Sequence, residues 1–159
     1  SANGYQHLWL KAAANFDAPA LAQVTWLTGN RFYTLSAISP QDQQILFTEL
    51  GANDPKFNLR RENAVIQSVT NSSEHTFVSV LETHGEYNGT LEFTRDPYSS
   101  ISSVQLIEEE DIDFVLIETR HGKRWGLGIS YDPEANNSHS ISYQGRAYEW
   151  QGFYKLFEL

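Results

Sequence analysis

The chain has 159 residues, with 20 acidic against 11 basic side chains, a net charge of -9 and no cysteine. That length fits one domain with a real hydrophobic core, the charge repels polyanions such as nucleic acid, and the missing thiols exclude disulfides and thiolate metal sites. No apolar run reaches the ~18 residues of a membrane-spanning helix, so a soluble chain with no membrane partner is expected.

Helical periodicity is nearly absent. Short β-branched or aromatic runs ending in tight turns recur instead, which is the pattern of antiparallel hairpins. The stretch "GYQHLWLKA" reads as a first strand, with His7, Trp9 and Lys11 on one face. In "QVTWLTGNRFYTLSAI" the pair Gly29-Asn30 is expected to turn the chain, so that Trp26 faces Tyr33 and shares a face with Val24 and Leu35. The segment "SPQDQQILFTELGANDP" fits either a short helix or a strand ended by Gly51, and its surroundings favour the strand.

Two further strands lie in "PKFNLRRENAVIQSVTNSSEHTFVSVLETHG", joined by the polar turn Asn71 to Glu74. "SISSVQLIEE" follows as a strand before the acidic turn at Glu108 to Asp111. "DFVLIETRHGKRWGLGISY" repeats the hairpin pattern with His121-Gly122 as the loop, setting Glu118 against Trp125, Leu116 against Leu127 and Phe114 against Ile129. On the other face Gly126 and Gly128 leave a trough for a bulky neighbour. A last hairpin turns at Gln144-Gly145. About ten or eleven short strands at regular intervals predict an all-β, antiparallel β-sandwich. With no linker, repeat or low-complexity tract, residues 1–159 read as a single domain.

The five histidines, at 7, 75, 84, 121 and 139, never stand at metal-ligand spacing from one another, so neither metal nor other cofactor is expected. No nucleophile-elbow, phosphate-loop or dinucleotide motif is present. Carboxylates for a glycosidase could be drawn from Glu82, Glu86, Glu92, Glu108 to Glu110, Asp111 or Asp113, but spacing along the chain does not set the separation that the chemistry needs. The stretch "FVSVLETHGEYNG" stands out. A strand fixed by packing up to Leu81 is expected to carry Glu82, His84, Glu86 and Tyr87 on the loop beyond it, either as a solvated turn or as the rim of a site.

Two stretches carry a family resemblance: "LGANDPKFNLRRENAVIQSV" at Leu50 to Val69 and "TFVSVLETHGEYNG" at Thr76 to Gly89. Together with "VTWLTGNRFYTL" they resemble the C-terminal β-sandwich of heparinase II/III-like polysaccharide lyases, most closely the alginate and oligoalginate lyases. The likeness spans roughly residues 5 to 95, and departs from the family at Asn63 and Thr83, where proline is common. It implies a C-terminal fragment of a larger periplasmic or secreted bacterial enzyme, consistent with the absence of any methionine. Such enzymes cleave uronate-containing chains by β-elimination, with most catalytic groups in an N-terminal α/α toroid. The resemblance therefore implies a fragment that is not catalytic alone, packs on that toroid, and contacts an alginate-like saccharide through His84, Glu86 and Tyr87, with Arg60 or Arg61 as a carboxylate contact. A stand-alone carbohydrate-binding module with aromatic sugar platforms, and a purely structural domain, are the other readings open to the sequence.

Overall fold

The computed structural model describes residues 5–16, 19–39, 43–52, 61–70, 72–134 and 136–159. Within them the chain is all-β and antiparallel, as expected. The first strands are β1 (Tyr5–Asn15), β2 (Ala20–Thr28), β3 (Arg31–Ser39), β4 (Gln43–Ala52), β5 (Arg61–Val69), β6 (Ser79–His84), β7 (Glu86–Asn88) and β8 (Phe93–Arg95). They are followed by β9 (Ile101–Glu109), β10 (Ile112–Thr119), β11 (Arg124–Ser130), β12 (Ser138–Tyr143), β13 (Arg146–Gln151) and β14 (Tyr154–Glu158). The very short β7 and β8 help raise the number above the sequence expectation.

Two compact units emerge, one of Ser1–Ala20 with Ser39–Phe77, the other of Leu21–Ile38 with Val78–Leu159. The first holds the sheet β1-β4-β5. Its middle strand β4 is the segment that fitted either helix or strand, and pairing on both sides settles it as a strand. Trp9 lies over Gly51, where a Cβ would collide with the indole ring. The Arg61 guanidinium covers the same ring at 4.8 Å from its centroid, and Glu49 pairs with both Lys11 and Arg61 at 3.5 Å.

The second unit is built on the sheet β14-β11-β10-β9. Alternation along β10 sends Phe114 and Leu116 to one face, where they pack with Ile141, Tyr148 and Trp150 of the β12-β13 hairpin. Val115, on the opposite face, packs with Ile101 and Val104, and against them lie Leu21, Ile38, Val78 and Val80 from the β2-β3-β6 side. The predicted stack of Trp26 on Tyr33 is present, with centroids 5.9 Å apart. The Gln144-Gly145 hairpin turn also forms, both residues having positive φ of 51° and 79° as a type I′ turn requires.

The strands β5 and β6 lie in different sheets. One expectation needs correction. The β10-β11 hairpin is shifted by one residue: Leu116 faces Gly126, Phe114 faces Gly128 and Glu118 faces Arg124. The cause is a longer turn, Arg120-His121-Gly122, closed where the Thr119 amide donates to the Lys123 carbonyl at 2.9 Å and with Gly122 at φ 79°. A one-residue slip exchanges the faces of a strand, and here it puts both glycines on the face of Phe114. The trough is filled by core aromatics. A Cβ on Gly126 would stand 3.0 Å from Phe114 Cε2 and nearer still to its Cζ, and one on Gly128 would stand 2.9 Å from Trp150 Cη2.

Because Phe114 is fully buried, it has no room to yield. Gly126→Ala is expected to destabilise the fold by about 1–3 kcal/mol through overpacking. Urea unfolding checks this: the midpoint should fall with the slope unchanged, and an unmoved midpoint would contradict the packing described.

Candidate functional site

The segment leading into "ETHGEYNG" leaves two of its apolar residues outside. Phe77 and Leu81 are 51% and 62% exposed, while Val80, Glu82 and His84 point inward by alternation along β6. The expected rigid end at Leu81 is therefore displaced. The strand β6 runs on to His84, and after Gly85 the chain continues as β7, so these residues stand on paired strands and not on a free loop.

Burying Glu82 and His84 is tolerated because each finds a full set of partners. The Glu82 carboxylate accepts from Ser99 Oγ at 2.5 Å, from the Ser100 amide at 3.0 and 3.1 Å, and from Ser100 Oγ. Partial burial acts to raise the Glu82 pKa, but the bonds from the Ser100 hydroxyl, the Ser99 hydroxyl and the Ser100 amide, with a smaller contribution from His84, outweigh it and hold the carboxyl below its ordinary 4.5. His84 stacks against Phe32, and its Nδ1 lies 2.9 Å from the Asp96 carbonyl oxygen. A carbonyl only accepts, so Nδ1 carries the proton. Nε2 lies 2.8 Å from Thr34 Oγ1, which in turn lies 2.7 Å from Thr25 Oγ1.

Gly85 completes the corner. At φ 49° it takes a left-handed conformation, and a Cβ there would strike the carbonyl groups of Arg95 and Asp96. Glu86 pairs with Arg95 across the β7-β8 ribbon at 3.5 Å, and the Tyr87 amide donates to the Asn30 carbonyl at 2.9 Å.

These interactions leave a cleft of about 440 Å³ whose walls are His84-Gly85, the segment from Asp96 to Ser100, and the β10-β11 turn residues Arg120 and His121. The turn is held to that segment where the Arg120 amide donates to the Ser100 carbonyl at 2.8 Å. Of the residues proposed from sequence, His84 lines the cleft and Glu86 and Tyr87 follow on β7. Arg61 belongs to the other compact unit, engaged with Glu49 and Trp9, and Arg60 lies outside the described residues. Sequence reasoning missed Asp96, Tyr98, Arg120 and His121. Their signals were an Asp-Pro turn and an Arg-His-Gly turn, far apart along the chain. Among the described residues no group of three or more His, Cys, Asp or Glu could hold a metal ion.

No protein-family model matches the chain. It is homologous to one part of alginate lyases. An exo-oligoalginate lyase of Saccharophagus degradans is 38% identical over 154 residues, which is 95% of this chain and 21% of that protein. An alginate lyase of Stenotrophomonas maltophilia is 40% identical over 150 residues, or 94% of this chain and 20% of that protein. The chain thus spans about a fifth of the length of these relatives.

The Glu82 bonds carry a pH signature. A folded-state pKa held below the unfolded value contributes stability that is fully present above the unfolded pKa and lost as pH falls through the folded one. The stability gap between the native chain and Glu82→Gln should therefore be constant near neutrality and shrink below about pH 4.5, the ordinary value. Denaturant titrations of both proteins at several pH values test this, and a gap that widened on acidification would contradict it.

Proposed function

We propose that this chain is the C-terminal β-sandwich of a heparinase II/III-type polysaccharide lyase, a periplasmic or secreted bacterial enzyme that cleaves alginate by β-elimination. The observation carrying this is the homology to alginate lyases over nearly the whole chain while covering only about a fifth of their length. In this reading the rest of the enzyme, an N-terminal α/α toroid, supplies the catalytic groups. The sandwich packs on it and completes the sugar cleft, with His84, Glu86 and Tyr87 at the rim.

The chemistry of the corner supports a supporting role over a catalytic one. β-Elimination needs a base free to take the proton beside the uronate carboxylate, and a donor to stabilise the charge that develops. Glu82 is ionised but saturated by Ser99 and Ser100, and both His84 nitrogens are engaged by Thr34 and Asp96. These groups set geometry. A second reading, a carbohydrate-binding module, is favoured by one observation: Tyr98, on the cleft wall, is 76% exposed.

Incubated alone with alginate, the chain should produce no ultraviolet absorbance from unsaturated uronate ends, whereas the longer protein should. A rise with the chain alone would contradict the supporting role. In the longer protein, Glu86→Ala and Tyr87→Ala with unmoved melting temperatures are expected to raise KM or lower kcat several-fold. Unaltered kinetics would reduce these two residues to a structural part.

A further inference from the structure

Every other described arginine has a partner. Arg31 donates to the Gly85 carbonyl at 3.3 Å, Arg61, Arg95 and Arg124 pair with Glu49, Glu86 and Glu118, and Arg146 covers the Tyr148 ring. Arg120 differs. Its backbone is fixed by Ser100, yet its side chain makes no ion pair or hydrogen bond with a described residue, and the same is true of His121 and Tyr98 beside it. In a chain of net charge -9, where acidic partners are abundant, an arginine kept unpaired at the wall of a cleft is available to an outside anion.

The shape of the cleft narrows which anion. The exposed Tyr98 ring offers a flat apolar face against which the C–H groups of a pyranose can lie. The Asp96 carboxylate, on the same wall, repels a densely charged ligand but accepts hydrogen bonds from hydroxyls. One cation, one carboxylate and one aromatic face match a ligand with a single carboxylate per ring and neighbouring hydroxyls. From this geometry we infer that the cleft is a recognition subsite for one uronate residue of an acidic oligosaccharide. The Arg120 guanidinium clamps the sugar carboxylate, Tyr98 carries the ring, and His121 and Asp96 bond its hydroxyls. The inference rests on the lyase reading for its choice of an acidic sugar, and adds the residues Tyr98, Asp96, Arg120 and His121 that the sequence did not indicate.

The site is organised before any ligand arrives. Glu82 holds Ser99 and Ser100 through part-buried bonds, His84 holds Asp96, and Ser100 holds Arg120, so the walls are set by hydrogen bonds while the ligand-facing side chains are free. Binding then orders few groups, which limits its entropic cost.

Titration of the whole 159-residue chain with a mannuronate tetrasaccharide tests the inference, with a neutral mannose tetrasaccharide and inorganic sulfate run in parallel. Saturable binding of the uronate alone is expected, with amide chemical-shift changes centred on Tyr98, Ser100, Arg120 and His121. Arg120→Gln should weaken it about ten-fold or more, the scale of a lost charge-assisted hydrogen bond. Tyr98→Ala should also weaken it, and Arg146→Gln, which removes a charge elsewhere, should not. Unchanged affinity in Arg120→Gln, equal binding of the neutral sugar, or sulfate binding as tight as the uronate would each overturn the inference. A titration that stayed flat, while the longer protein cleaved alginate, would remove this subsite and leave the lyase assignment standing.

Discussion

The cleft depends on one carboxylate. Glu82 reaches from β6 to the two serines that precede β9, and in doing so fixes the point from which several walls are hung. The Ser100 carbonyl receives the Arg120 amide, and the neighbouring Asp96 carbonyl receives His84. An ionised carboxylate that accepts several bonds is stabilised in place, and its removal would leave the donors of buried Ser99 and half-buried Ser100 to find other partners. Placing Glu and His inward while Leu81 faces outward reverses the usual order of a strand. The reversal is stable only because every inward polar atom of that corner is bonded.

Hairpins were the most legible part of the fold, because their information is local. Gly29-Asn30 and Gln144-Gly145 turn as their residue types demand, and the Trp26-Tyr33 stack follows from the first of them. The β10-β11 turn was misplaced by one residue, since "RHGK" accommodates either turn and the deciding constraint is distant: Phe114 needs the space above Gly126. Likewise, nothing local to "VTNSSEHTF" says that β5 and β6 belong to different sheets. That partition is set by which strands pair, and pairing depends on the whole chain.

The candidate site was half legible for the same reason. "ETHGEYN" announced itself as a cluster of polar side chains after a strand, but its contents divide between struts and contacts in a way only packing reveals. Glu82 and His84 are struts, bound on all sides. The free side chains, Tyr98, Arg120 and His121, come from an Asp-Pro turn and a hairpin turn that looked like connections. Turns are cheap places to present side chains when a rigid neighbour fixes their backbone, and here the Ser100 carbonyl does so.

The account ties the homology to alginate lyases with the geometry of the corner. On the proposed reading, a chain that matches about a fifth of such proteins contributes by shaping a surface, and the Glu82 clamp is what gives this surface a fixed shape. Amide hydrogen exchange in the native chain and in Glu82→Gln measures that claim directly. The account predicts that the Ser100 and Arg120 amides are slow in the native chain and exchange at least ten-fold faster in the variant, while those of Val115 and Leu116 in the central sheet keep their rates. Ser100 and Arg120 exchanging at the same rate in both proteins would contradict it.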